Sequence, residues 1–148
     1  MIENEKEIDL LYIEDNEDFV DFVGMAVRKL STPLNYHFVT DGAKAKQILE
    51  DEKPTVPIKR AKLILLDYNL PGVSGMQLLQ YIRSYPEMKH TPVVIFSSSD
   101  NPVDVATAYA NGANAYLVKP LGMQNLKDTI QVVCDFWINK NQRCAQIA

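Results

Sequence analysis

Five reactive side chains stand where short apolar runs end. Glu14 and Asp15 follow Leu10-Leu-Tyr-Ile13, Asp67 follows Leu63-Ile-Leu-Leu66, Ser97 follows Val93-Val-Ile-Phe96, and Lys119 follows Ala115-Tyr-Leu-Val118. Three acids, a hydroxyl and an amine form a chemical set if the fold gathers those ends. Crowded carboxylates repel one another, and either a shared proton at raised pKa or a hard divalent cation relieves the repulsion. Oxygen ligands suit Mg²⁺, which keeps several waters and takes one or two protein carboxylates. Asp15, Asp67 and a backbone carbonyl from the loop after Asp67 would make such a site. The chemistry that fits is attack by a carboxylate on a phosphoryl group, giving an aspartyl-phosphate. Mg²⁺ and Lys119 would neutralise the equatorial oxygens, and Ser97 would donate a hydrogen bond to them.

The elements needed to position this set are legible in the patterning. The four apolar runs are too short for helices and are bounded by polar or turn residues, as expected of strands buried on both faces of a parallel sheet. A fifth stretch, Leu34 to Thr40, alternates Leu34, Tyr36 and Phe38 with Asn35 and His37, which predicts a half-exposed edge strand. Between the runs the period becomes helical. Phe19, Phe22, Val23, Ala26, Val27 and Leu30 form an inward stripe after Asp15-Asn-Glu-Asp18. Further helices are predicted over Ala43–Leu49 with Asp41 as N-cap, over Ser74–Tyr85 with Met76, Leu79 and Ile82 inward, and over Pro102–Ala110, stopped by Asn111-Gly112. Met123, Leu126, Ile130, Val133 and Trp137 space a fifth helix, with Val132, Phe136 and Ile138 off its inward face. Residues 50–60, with two prolines and mixed charge, read as a long surface connection. Strand–helix alternation implies right-handed crossovers, a doubly wound five-stranded parallel α/β sheet, and one domain over residues 1–148. In such sheets ligands bind beyond the carboxyl ends of the strands, where the five reactive residues fall.

Composition narrows the function. Net charge is −4 and the isoelectric point is about 5.1. The one basic concentration is Lys59-Arg60 with Lys62, which excludes a nucleic-acid binder of ordinary charge. The opening Met1–Glu7 is acidic where a secretory signal is basic and then apolar. No run approaches the roughly 20 residues of a membrane span. A cytoplasmic protein with no membrane partner is expected, its Cys134 and Cys144 reduced. His37 and His90 are isolated and read as structural or solvent-facing, so the phosphoryl group must come from a partner.

The segments Ile13-Glu-Asp15, Leu65-Leu-Asp-Tyr-Asn-Leu-Pro-Gly-Val-Ser-Gly75, Val93-Val-Ile-Phe-Ser97 and Tyr116-Leu-Val-Lys-Pro120 resemble the receiver domain of two-component response regulators. They match in order over roughly residues 7–138. The resemblance implies a flavodoxin-like fold of strand order 2-1-3-4-5 and a stand-alone, Mg²⁺-dependent response regulator. Asp67 would accept the phosphoryl group. Asp15 would ligate the metal directly, Glu14 chiefly through water, and Asn69 through its backbone carbonyl. Lys119 would bridge the phosphoryl oxygen and a carboxylate, Ser97 and Tyr116 would form the switch pair, and the Lys119–Pro120 bond would be cis. A histidine kinase or histidine phosphotransfer protein would donate, and output would run to a downstream protein through the fourth helix, fifth strand and fifth helix. Glu14 is longer than the Asp common at its position, and Ser97 lacks the methyl of the commoner Thr. The 50–60 connection and Phe136-Trp137 also resemble the cyanobacterial phytochrome response regulators and their relatives, which implies a homodimer.

Other functions fit these residues less well. An unphosphorylated interaction platform of the same fold would not need Asp67, Ser97 and Lys119 together. A phosphatase of the haloacid dehalogenase type needs a second acid two residues after its nucleophile, where this chain has Asn69. The chain is therefore expected to catalyse only its own phosphorylation and dephosphorylation. A flavodoxin-like electron carrier is disfavoured because the acidic first turn would repel a flavin phosphate. Taken singly, Glu14 and Asp15 are also what a helix start favours, Ser97 what a capping loop uses, and Tyr116 an ordinary strand aromatic.

Overall fold

The computed structural model describes residues 7–144; residues 1–6 of the acidic opening and residues 145–148 lie outside the described residues. In chain order the main elements are β1 (Leu10–Ile13), α1 (Glu17–Arg28), β2 (Tyr36–Val39), α2 (Gly42–Glu50), β3 (Leu63–Asp67), α3 (Gly75–Ser84), β4 (Val93–Ser97), α4 (Pro102–Ala110), β5 (Ala115–Val118) and α5 (Met123–Cys134). The strands form one parallel sheet in the order β2-β1-β3-β4-β5.

Alternate residues of each strand feed opposite faces. Leu10, Tyr12, Leu63, Leu65, Val94 and Phe96 pack with α1 and α5, while Leu11, Ile13, Ile64, Leu66, Val93 and Ile95 pack with α2, α3 and α4. β1, β3 and β4 are buried at every position, as their unbroken apolar runs require. β2 is the half-buried edge that its alternation predicts. β5 departs from expectation: Ala115, Tyr116 and Leu117 are half-buried and Val118 is exposed. The strand has one neighbour instead of two, so the run alone could not distinguish an edge from an interior strand.

Side chains of Asn16, Asp41, Ser74 and Asn101 cap α1 to α4, Ser74 through a reciprocal capping box with Gln77. Five details correct the sequence expectation. Phe22 is exposed rather than inward, and Leu78 joins Leu79 and Ile82 on the buried side of α3. The 50–60 connection is not wholly superficial, since a short 3₁₀ turn at Ile58–Arg60 buries Ile58 completely. The Lys119–Pro120 bond is trans, no cis bond occurring among the described residues, in keeping with the intrinsic X–Pro preference. Past Cys134 the helix widens into a π-helix over Asp135–Lys140. A wider turn advances each side chain by a smaller angle. Trp137 and Ile138 therefore both reach the core face, whereas α-spacing had put Ile138 outside. Val132 and Phe136 remain exposed.

At the amino end of the sheet one guanidinium joins three segments. Arg83 Nε and Nη2 donate to the Gly112 carbonyl at 3.0 and 2.9 Å. Nη1 donates to Met88 and Thr91 carbonyls at 2.9 and 2.8 Å, and Nη2 also reaches Asn114 Oδ1 at 2.8 Å. All five donors are thus used. Gly112 holds φ at 100°, and a Cβ there would crowd the Arg83 side chain. Lysine cannot reproduce this planar fork. Arg83→Lys is expected to lower unfolding free energy by about 2–3 kcal/mol, seen as a lower urea midpoint at unchanged slope; an unchanged midpoint would contradict the assignment.

Candidate functional site

The carboxyl ends of β1, β3 and β5 bring Glu14, Asp67 and Lys119 together. Lys119 Nζ donates to Glu14 Oε1 at 2.9 Å and to Asp67 Oδ1 at 3.4 Å. The three side chains are 7%, 1% and 7% exposed for Lys119, Glu14 and Asp67, so water screens this ion cluster little. Asp15, one residue beyond Glu14, is exposed. Glu14, Asp15 and Asp67 each offer a carboxylate oxygen within 4.8 Å of the others. A cavity of about 580 Å³ opens here, lined by these acids, Asn69, Ser98, Lys119 and the first turn of α1.

Local sequence explains the placement. Asp67 is the last residue of β3 and sits where the strand meets the cavity. The chain then returns tightly, with the Gly75 N–H donating to the Tyr68 carbonyl at 3.2 Å. A Cβ at Gly75 would run into the Asp67 and Tyr68 carbonyls, so glycine is required there. α1 starts at the cavity because Asn16 Oδ1 accepts the Phe19 N–H at 3.2 Å.

The charges do not balance. One ammonium faces three carboxylates, and Glu14 Oε2 is buried with no hydrogen-bond partner. Burial raises the Glu14 carboxyl well above its usual pKa; the Lys119 hydrogen bond opposes this, while the Asp67 charge adds to it. The Tyr12 hydroxyl, likewise buried and unpartnered, is raised chiefly by burial and then by Glu14, Asp67 and Asp15. An orphaned carboxylate oxygen beside two further hard oxygen donors fits a divalent cation of the Mg²⁺ type.

Ser97 and Tyr116 do not line the cavity. The Ser97 side chain is buried, and its Oγ accepts the Ser99 N–H at 3.1 Å. Tyr116 Oη donates to the Ser99 carbonyl at 2.8 Å, with its ring 6.4 Å from that of Tyr68. Ser99 Oγ in turn donates to Asp104 Oδ2 on α4 at 2.6 Å. Ser98, rather than Ser97, forms the cavity wall. Sequence reasoning missed Ser98 and treated Phe19 as core only. Phe19 lies in the first turn of α1, the helix that starts at the site directly after Asp15 and Asn16, and that position is the signal that would have found it.

Comparison with known proteins agrees with this geometry. Residues 10–131 match the response regulator receiver domain. Response regulator Rcp1 of Synechocystis sp. is 30% identical over 129 residues, spanning 87% of this chain and 88% of that protein. The phosphorylated cyanobacterial phytochrome response regulator RcpA superposes with a TM-score of 0.84 at 28% identity, over 95% of this chain and all of that one. The Mn²⁺-bound form of Rcp1 gives a TM-score of 0.82 at 29% identity, over 93% and 99% of the two chains. Sheet order, strand-end chemistry and matched length converge, and the chain belongs to the response regulator receiver domain family.

Proposed function

We propose that Asp67 is the phosphoryl acceptor of this receiver and that its output passes through contact with another protein. Phosphoryl acceptance on an aspartate is the function of the family, and receiver domains exchange the group with histidine kinases or phosphotransfer proteins. The observation that carries the assignment is the buried Asp67 carboxylate, within reach of the Lys119 ammonium on the wall of an acid-lined cavity. An Asp67 oxygen attacks the phosphorus of a partner's phosphohistidine. The P–O bond forms as the P–N bond breaks, and the electron pair leaves on the imidazole nitrogen. Asp15, Asp67 and the Asn69 carbonyl would hold Mg²⁺ directly, with Glu14 behind, and the Mn²⁺ held by Rcp1 supports this. When bound, the ion neutralises charge on the phosphoryl oxygens. Lys119, already within reach of Asp67, would add a second positive charge beside the acceptor.

The chain's own hydrogen bonds then supply a route to the surface. Recruiting the Ser97 hydroxyl to the phosphoryl group withdraws the acceptor that holds the Ser99 N–H. Ser99 also carries the contacts to Tyr116 and Asp104, so the change reaches β5 and α4. α4 buries only Ala108 and can shift at little cost in packing. Phosphorylation therefore biases a two-state balance already present in the fold. Residues 7–138 would be the receiver core, acting on no small substrate. Asn69 stands where a phosphoester hydrolase of related chemistry carries its general acid. No helix among the described residues is long and apolar enough to cross a membrane, and we place the protein in the cytoplasm with its kinase-derived donor. The exposed pair Val132 and Phe136, one turn apart, supports a homodimer seam.

Three measurements test these assignments. With acetyl phosphate and Mg²⁺, wild type should gain one phosphoryl mass and Asp67→Asn none; retained label would move the acceptor elsewhere, and an unlabelled wild type would favour an unphosphorylated interaction platform. Mg²⁺ at ten times its dissociation constant should raise the melting temperature by about 3–6 °C. EDTA should reverse the rise and Asp15→Asn should remove most of it; an Asp15→Asn protein that responds in full would exclude that ligand. Phe136→Ser should convert a sedimenting dimer to monomer, whereas an unaltered sedimentation coefficient would place the seam elsewhere.

A further inference from the structure

Lys119 has two kinds of neighbour. Its ammonium meets carboxylate oxygens on one side and an aromatic ring on another. Nζ lies 4.3 Å from the centroid of Phe19 and 5.9 Å from that of Phe96. The Phe19 ring stands edge-on to Phe96 at 6.4 Å and 88°, and Phe96 packs in turn beside Tyr12 at 6.2 Å. Asn16 fixes the Phe19 backbone from the other end. Phe19 is half-buried and lines the cavity that holds Asp67. A residue needed only to fill the core would not have to present its ring to a buried cation at the cavity wall.

We propose that Phe19 is a positioning residue for the phosphoryl chemistry, its ring serving as a shelf that keeps the Lys119 ammonium in reach of Asp67. The proposal rests on the assignment of Asp67 as acceptor. Lysine is a point charge on a flexible four-carbon stem, and carboxylates alone do not fix its direction. Glu14 holds it more closely than Asp67 does, at 2.9 against 3.4 Å. Without a third contact the ammonium would settle toward Glu14 and away from the reacting oxygen. An aromatic face attracts a cation through its quadrupole, and does so most strongly where both are shielded from water. Lys119 is so shielded. The ring opposes collapse onto Glu14 without adding a negative charge that would repel an incoming phosphoryl group.

The experiment compares wild type, Phe19→Leu and Phe19→Tyr as full chains, with acetyl phosphate as donor and saturating Mg²⁺. Labelling rates are followed by intact mass, and the Lys119 ε-methylene resonance, assigned by its loss in Lys119→Met, is followed in lysine-¹³C protein. Leucine keeps an apolar group of similar reach but has no ring. Phe19→Leu should label about tenfold more slowly, the scale of one desolvated cation–π contact. Its Lys119 resonance should lose the upfield ring-current shift seen in wild type. Phe19→Tyr should restore the rate to within about twofold and keep the shift, because the ring face is retained. Matched melting temperatures for the two variants separate positioning from folding. Wild-type labelling by Phe19→Leu, or equal slowing in both variants, would overturn the shelf. An unshifted Lys119 resonance in wild type would overturn the contact itself. Failure of the wild type to label would instead sink the Asp67 assignment, and the positioning role with it.

Discussion

A lysine ammonium buried between two carboxylates is the constraint on which the rest of this structure turns. Lys119 joins the ends of β5, β1 and β3 through Glu14 and Asp67, residues far apart in the chain. Such a cluster is a doubtful source of stability, because removing three charges from water costs about as much as their attraction returns. Its value is directional. It holds an acidic oxygen, a cation and an orphaned carboxylate oxygen around one cavity, and it leaves three acids facing one ammonium, an imbalance that a hard cation would relieve. Fixed charges that need no rearrangement when a phosphoryl group arrives are what this chemistry requires.

The two ends of the sheet are built differently. At the amino end, Arg83 satisfies four carbonyl and amide oxygens from the two segments that precede β4 and β5 and uses every donor it has. At the carboxyl end, the loop after β4 is held by single hydrogen bonds that meet at Ser99, and the helix it leads to buries one residue. A many-bonded base thus faces a lightly held rim at the pole where the acid-lined cavity opens. Ser97 thus has a dual place: its backbone belongs to the buried sheet, while its hydroxyl is the first link toward α4.

Much of the site was legible because its residues end apolar runs. Glu14, Asp15 and Lys119 follow apolar strands and Asp67 ends one, and in a parallel sheet those carboxyl ends share an edge. Asn16, Asp41, Ser74 and Asn101 mark helix starts through side-chain chemistry that acts within a few residues. Phe19 was half legible. Its spacing placed it on the inward stripe, but the cation above it comes from a residue a hundred positions later. Ser98 was not legible among three consecutive serines, since which of them faces the cavity depends on the twist at the end of β4.

By itself the sequence determined the element order, the parallel sheet, the strand-end chemistry and the helix caps, all consequences of periodicity and short-range hydrogen bonding. Tertiary structure alone decided the rest. It made β5 an edge, turned Phe22 outward, buried Ile58, and used a π-helix to carry Ile138 to the core beside Trp137. It also set Lys119 between Glu14 and the Phe19 ring. Each of those outcomes depends on what a distant segment places against the residue, and local pattern carries no record of that neighbour.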